Sequence, residues 1–177
     1  MKNKGFSLVE LIIVIAIMAI LAAAIAPALI RYIDKSRRSD DVAAAESINT
    51  AAQAAFSNED AYDAVQDVIK SGSSTNNKAG EAVYLLAKAN AGATSWTAQN
   101  SCGQAFLDEL MDNTGAKVPE FKYRKDGATG WAVGINSTNN KPAVFITGTF
   151  TGVTSSAGNN VPNLGLEIQP SIYAPYK

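Results

Sequence analysis

The 177-residue sequence contains no histidine and a single cysteine, Cys102. Without imidazole, the chain lacks the side chain that most often serves as general base and as metal ligand in enzymes. One cysteine cannot form a disulfide within the chain or supply the thiolates of a structural zinc site. These absences exclude most familiar hydrolase and zinc-enzyme chemistries, and we predict no catalytic residue, no metal site and no cofactor.

Charge is scarce near the N-terminus, where residues 6–30 carry one charged side chain, Glu10. As a helix, these 25 residues would extend about 37 Å, which exceeds the roughly 30 Å of a bilayer's hydrocarbon core. We therefore predict that residues 6–30 form a transmembrane helix. The net charge of the whole chain is -1, which does not favour a nucleic-acid partner, and we predict none.

The basic opening of the chain, with Lys2 and Lys4, is typical of a removable secretory signal or an uncleaved membrane anchor. Neither class explains Glu10, because a carboxylate at the centre of a bilayer costs about 2.5–3.5 kcal/mol. Glu10 therefore needs a partner. One of the two lysines could reach it along the interface, or another molecule could supply the positive charge.

The segment from Gly5 to Leu11, Gly-Phe-Ser-Leu-Val-Glu-Leu, with the uncharged apolar run after it, resembles the leader and N-terminal helix of type IV pilins. In that family a prepilin peptidase cuts after the glycine and methylates the new N-terminus. The resemblance implies that residues 1–5 are a leader ending at Gly5 and that Phe6 begins the mature chain. It further implies that Glu10 sets the axial register by pairing with the Phe6 amine of a neighbouring subunit.

The resemblance implies a structural subunit of a type IV pilus rather than an enzyme. Such a subunit lies in the cytoplasmic membrane with its head outside, then joins a homo-oligomeric helical filament outside the cell. The implied partners are the prepilin peptidase, an assembly platform and its ATPase, and the implied roles are adhesion, aggregation or motility. A pseudopilin of a type II secretion or DNA-uptake machine shares these N-terminal features. An uncleaved, signal-anchored extracellular binding protein is an alternative of a different class.

Residues 6–30 would polymerise by helix packing in the filament core. Small side chains in this run allow close approach of helices. The residues that we expect at these contacts are Leu8, Leu11, Ile15, Ala19 and Ala22. Pro27 removes a backbone donor and crowds the preceding turn, so we predict a helix kink there.

Residues 31–177 are predicted to form a globular head that includes the amphipathic half of the long helix. That helix should continue to about residue 58, because apolar residues recur at three- and four-residue spacing from Val42 to Phe56. We expect an α+β fold in which this helix packs on an antiparallel sheet of three or four strands. The predicted helices are residues 81–91 and 104–112; the predicted strands lie around residues 121–123, 131–135 and 144–150, with a possible edge strand at 164–168.

Several polar or reactive residues have simple structural interpretations. Cys102 is expected to be a buried, idle thiol, because no histidine can activate it. The acidic groups at residues 59–67 and 108–112 are expected to lie on solvated helix faces. The triplet Asn136-Ser137-Thr138 matches a glycosylation acceptor but also suits a turn.

Two expectations concern the neighbours of a subunit in the filament. The basic residues from Arg31 to Arg38 would lie at the lipid headgroups in a membrane-inserted monomer, whereas in a filament they could meet acidic residues such as Asp40 and Asp41 of an adjacent subunit. We favour the second use. Because Cys102 is the only cysteine, the chain departs from pilins that close a C-terminal loop with a disulfide, and it resembles Gram-positive major pilins in this respect.

Overall fold

The structure is a computed structural model, and it describes residues 7–72, 74–76, 82–100, 102–115, 117–123, 127–137, 139–148 and 166–169. Contacts divide the chain into two compact units, Met1–Arg37 and Arg38–Lys177. We call them the N-terminal unit and the head unit. Our sequence-based division into a leader, an apolar helix and a head remains a prediction.

Helix α1 spans Leu8–Ala55 and contains Pro27. The helix therefore continues through the proline, and the predicted kink remains a prediction. In the head unit its buried residues follow the expected three- and four-residue spacing. They are Asp41, Ala45, Ile48, Asn49, Ala51, Ala52 and Ala55. The predicted amphipathic extension is confirmed, although it ends at Ala55 rather than near residue 58.

Helix α2 spans Glu59–Ser71. It starts after Asn58. The first N–H groups of a helix have no partner within the helix, and the side-chain oxygen of Asn58 accepts a hydrogen bond from one of them, the backbone N–H of Ala61, at 3.2 Å. It ends at Ser71 and is followed by Gly72, whose φ of 68° is favoured by glycine. Helix α3 spans Gly103–Thr114 and confirms the helix predicted at residues 104–112.

The strands form one antiparallel sheet of six described strands. Their bounds are β1 Thr75–Asn76, β2 Ala82–Asn90, β3 Thr97–Ala98, β4 Ala128–Asn136, β5 Pro142–Gly148 and β6 Leu166–Gln169. The order is β1-β2-β4-β5-β6, with β3 also pairing with β2. The strands predicted around residues 131–135 and 144–150 and the edge strand near residue 168 are confirmed, but the sheet is larger than predicted. Phe150 and Leu164 lie outside the described residues.

The helix predicted at residues 81–91 is wrong, because this segment forms strand β2. Val83 belongs to a buried apolar cluster different from that of Leu86 and Ala87. A strand with apolar residues on both faces shows no simple alternation, so periodicity does not distinguish it from a short helix.

The strand predicted at Phe121 and Tyr123 is also wrong, because no strand is assigned to residues 117–123. The predicted alternation of burial is present: Phe121 and Tyr123 are buried, while Lys122 is exposed. However, the backbone N–H groups of Lys122 and Tyr123 donate to the Asp41 side chain. A side chain thus takes the acceptor role that a neighbouring strand would have. Residues 125 and 126 of the predicted following turn are not among the described residues.

The core of the head unit joins the inner side of α1 to one face of the sheet. Ile48 and Ala52 of α1 share a buried cluster with residues of the central strands. Those strand residues are Trp131, Val133, Ile135, Val144 and Ile146. The predicted packing of the sheet's apolar face on the long helix is therefore confirmed. The chain has an α+β fold with a long N-terminal helix.

Candidate assembly site on the N-terminal helix

The start of α1 is closed by two side-chain hydrogen bonds within residues 7–10. The backbone N–H of Ser7 donates to Oε2 of Glu10 at 2.9 Å, and the Ser7 hydroxyl oxygen accepts from the backbone N–H of Val9 at 3.3 Å. This arrangement is a capping box, in which a serine and a glutamate three residues later satisfy N–H groups at the helix start. The carboxylate also lies at the positive end of the helix dipole, which stabilises its charge.

The capping role of Glu10 was absent from our sequence interpretation, although the pattern Ser-x-x-Glu was visible at residues 7–10. The predicted cleavage residues, Gly5 and Phe6, lie outside the described residues. The pairing of Glu10 with the Phe6 amine therefore remains a prediction. The structure adds that the carboxylate already has one partner within its own chain.

The apolar part of α1 is exposed along residues 8–33. Leu8, Leu11 and Ile15 are 73%, 62% and 55% exposed, and Ala19 and Ala22 are also exposed. Monomeric soluble proteins seldom expose a continuous apolar surface of this extent. Its length and composition also suffice to cross a membrane. One stretch of 18 residues in α1 has a mean hydropathy of 3.0, and none of its residues is buried. The five predicted contact residues thus lie on a surface that another apolar environment must cover.

The head unit contains a second group of polar contacts that sequence reasoning missed. Asp41 is fully buried and accepts from the backbone N–H groups of Lys122 at 2.8 Å and Tyr123 at 3.0 Å. Burial raises the pKa of Asp41, and the two backbone hydrogen bonds partly oppose that shift. Asp40 lies 3.0 Å from the Lys122 ammonium. Asp41 is thus enclosed within its own chain, so our expectation that it meets an adjacent subunit is wrong.

Arg38 binds the same segment from the preceding turn of α1. Its Nη2 donates to the Tyr123 hydroxyl at 2.7 Å, and its guanidinium carbon lies 4.4 Å from the centre of the Tyr123 ring. Trp131 holds the other side, because its Nε1 donates to the Pro119 carbonyl at 2.8 Å and its ring stacks on Phe121 at 4.2 Å. We call residues 117–123 the clamped segment.

The remaining candidate residues have structural explanations. Cys102 is buried, as predicted; its thiol donates to the Leu86 carbonyl at 2.8 Å, and burial raises its pKa. Asn136 is 7% exposed and exchanges backbone hydrogen bonds across the β4–β5 turn with Lys141 and Asn140. Within the described ranges, no group of three histidine, cysteine or acidic residues could hold a metal ion.

The predicted acidic helix faces can be compared directly with the structure. In α2 the residues Glu59, Asp60, Asp63 and Asp67 are all exposed. In α3, Asp108 and Asp112 are exposed, whereas Glu109 is half-buried and accepts a hydrogen bond from the Asn58 side chain at 2.8 Å. The solvated-face interpretation is therefore confirmed for α2 and for Asp108 and Asp112 of α3, whereas Glu109 connects α3 to the cap of α2.

Comparison with known proteins bears on the N-terminal region. The family model described as the prokaryotic N-terminal methylation motif matches residues 1–26. The chain is also 39% identical over 61 residues to the type IV major pilin protein PilA of Myxococcus xanthus strain DK1622. This match covers 34% of the present chain and 28% of that pilin. No solved structure matches the chain.

The two matches identify a protein with an N-terminal methylation motif and an apolar N-terminal helix. More particularly, they confirm the predicted resemblance to type IV pilins. The chain spans little more than a quarter of the length of the matched pilin.

Proposed function

We propose that this protein is a structural subunit of a type IV pilus. The observation that carries the proposal is the exposed apolar part of α1, most of which lies within the region that matches a methylation motif. A helix of this kind first fits a lipid bilayer and later fits a bundle of identical helices, because both surroundings remove its apolar surface from water. The chain would act by assembling, not by catalysing a reaction.

In the proposed pathway the subunit waits in the cytoplasmic membrane with its head outside. A prepilin peptidase removes residues 1–5 and methylates Phe6. An assembly platform driven by an ATPase then transfers the subunit into an extracellular filament. In the filament core, residues 6–30 pack against the same residues of neighbouring subunits, and the head units form the outer layer. Adhesion, aggregation or surface motility would follow from the finished filament.

Glu10 has two roles in this proposal. Before assembly it caps its own helix through the Ser7 N–H, which is 2.9 Å away. During assembly its negative charge attracts the positive amine at Phe6 of a neighbour, and the attraction is strong because water is absent from an apolar core. A subunit inserted out of register would leave the carboxylate buried without a counter-charge, which is strongly unfavourable. The pair would thereby set the axial position of each new subunit.

Intact-mass and N-terminal analysis of the purified filament tests the processing step. We expect a chain that starts at Phe6 and carries one added methyl group. A chain that keeps Met1, or one that has lost the apolar run and begins near Leu29, would contradict the proposal and favour an anchor or a secretory signal. Electron microscopy of the same preparation should show long filaments containing this chain.

Three variants separate the two roles of Glu10. Glu10→Ala removes both the cap and the charge, whereas Glu10→Gln keeps a side-chain acceptor for the Ser7 N–H and removes only the charge. We expect both variants to insert into the membrane and to yield far fewer filaments than the unmodified chain. Glu46→Ala, at an exposed position of the same helix, is the matched control and should assemble normally. Normal assembly of Glu10→Gln would show that capping, not charge pairing, is what assembly requires.

A further inference from the structure

A band of basic and aromatic side chains follows the apolar run of α1. Arg31, Tyr32, Lys35 and Arg37 are all exposed, and Tyr32 is 72% exposed. We call these four residues the interfacial band. All of them belong to the N-terminal unit. Asp34 is the one acidic residue between Arg31 and Arg37, so this stretch keeps a net positive charge.

The axial position of the interfacial band fits the headgroup layer of a bilayer. Residues 8–30 form 23 residues of helix, or about 34 Å, which is slightly longer than the roughly 30 Å hydrocarbon core. The band therefore begins near the depth at which the hydrocarbon ends. It extends over about 9 Å of helix, comparable to the roughly 5–8 Å thickness of one polar interface.

The angular distribution of the band surrounds the helix. At about 100° per residue, Arg31 and Lys35 lie about 40° apart, while Tyr32 and Arg37 lie on either side of Arg31, each about 100–120° away. A partner protein docking from one direction would meet only part of this ring. Lipid headgroups surround a membrane-spanning helix and can contact every side of it.

The side-chain chemistry also matches a lipid interface. Tyrosine is enriched where hydrocarbon meets water, because its ring is apolar and its hydroxyl is polar. Arginine and lysine bury their apolar stems and keep their charged ends at headgroup depth. Arginine in addition forms paired hydrogen bonds with phosphate oxygens. Positive charge beside a bilayer favours acidic phospholipids over zwitterionic ones.

We propose that Arg31, Lys35 and Arg37 bind the phosphate headgroups of acidic phospholipids while the subunit resides in the membrane, with Tyr32 holding the band at the interface. This inference depends on the membrane-inserted stage of the proposed function but not on filament assembly. The bound acidic lipids would neutralise the basic residues beyond the C-terminal end of the apolar run. They would be released when the helix leaves the bilayer.

The test uses the full chain in phosphatidylcholine vesicles and spin-labelled phosphatidylglycerol or phosphatidylcholine as the probe. Electron spin resonance measures the share of each labelled lipid that is immobilised at the protein. We expect about a fivefold preference for phosphatidylglycerol at low salt, comparable to the effect of one basic residue near an acidic surface. The preference should decrease at high salt. Equal immobilisation of both lipids would overturn the proposal.

Matched variants locate the effect. The triple variant Arg31→Gln, Lys35→Gln, Arg37→Gln should lose the preference, while the double variant Arg31→Lys, Arg37→Lys should keep most of it. The control variant Lys70→Gln, Lys117→Gln, Lys141→Gln removes three exposed positive charges from the head unit and should keep the full preference. A preference that survives the first variant, or disappears in the control, would overturn the proposal.

Filament yield from the same variants separates this inference from the proposed function. If the unmodified chain shows no lipid preference but forms normal filaments, only the lipid site is overturned. Lipid preference in a chain that keeps its leader and forms no filaments would overturn only the pilus function.

Discussion

The buried carboxylate of Asp41 accepts a hydrogen bond of 3.0 Å from the backbone N–H of Tyr123, 82 positions later in the chain. The neighbouring N–H of Lys122 donates to the other oxygen of the same carboxylate at 2.8 Å. One side chain of α1 thus satisfies two consecutive donors of the clamped segment. This contact joins the first helix of the head unit to a segment that lies between α3 and β4.

Asp41→Asn should destabilise the head unit by about 1–3 kcal/mol, because an amide cannot accept both hydrogen bonds as the carboxylate does. Urea unfolding of the full chain in detergent, followed by circular dichroism, measures this loss. Asp40→Asn is the matched control, since Asp40 contacts the exposed Lys122 ammonium, and it should cost less than about 1 kcal/mol. Equal losses from the two variants would contradict the importance of the buried carboxylate.

The raised pKa of Asp41 predicts a pH dependence of stability. Burial places the folded-state pKa above the ordinary value of 3.8, so the folded chain binds more protons than the unfolded chain between these two values. The contribution of Asp41 to the free energy of unfolding therefore decreases as pH rises through this window, and it is constant above it. Unfolding of the unmodified chain and of Asp41→Asn should be compared from pH 3 to pH 7. A difference that increases with pH in this window would reverse the expected sign.

Trp131→Phe should destabilise the head unit by about 1–3 kcal/mol, because it removes the hydrogen bond to the Pro119 carbonyl and reduces the stacking on Phe121. Trp96→Phe is the matched control: Trp96 is also buried, but its Nε1 has no hydrogen-bond partner among the residues that the structure describes. The same substitution there removes an unsatisfied donor and should cost about 1 kcal/mol less. Thermal unfolding measures both variants, and a larger loss from Trp96→Phe would contradict this account.

Cys102 should resist alkylation while the chain is folded. Its thiol is fully buried, donates to the Leu86 carbonyl and has a raised pKa, and the reactive form is the thiolate. Iodoacetamide labelling followed by mass spectrometry should be on the order of 100-fold slower in buffer than in urea, since a core position reacts only after local opening. Ser57→Cys in a Cys102→Ala background, at an exposed site, should react quickly in both conditions. Rapid labelling of folded Cys102 would indicate an exposed thiol.

The second part of α1 was predicted correctly because it has one apolar face, formed by Ala45, Ile48 and Ala52, and the spacing of apolar residues reports such an element directly. Strand β4 was also predicted correctly, although Trp131 lies in one buried cluster and Ala132 in the other, because aromatic and β-branched residues favour strands. Strand β2 is likewise buried on both faces, but its leucine and alanine residues also favour a helix, so it was mistaken for one. The clamped segment was mistaken for a strand because it alternates without a neighbouring strand.

The candidate assembly site was predicted more completely than the contacts of the head unit. A charge-poor run with one glutamate is a local feature, and it was read from residues 6–30. The serine three residues before that glutamate is equally local, although its capping role was missed. Their meaning does not depend on distant parts of the chain. By contrast, no local pattern pairs Asp41 with Lys122 and Tyr123, because the partners are backbone groups that any residue type could supply.

The sequence by itself determined that the N-terminal helix must be covered by an apolar environment, since the 25 residues 6–30, which carry one charged side chain, cannot remain in water. It also determined the absence of imidazole chemistry and of an internal disulfide. Only the tertiary structure decided that Asp41 is an internal acceptor rather than a filament contact, and that Cys102 lies against Leu86. The physical reason is that apolar burial follows from residue type and spacing, whereas a specific hydrogen bond depends on which distant backbone group the fold brings within 3 Å.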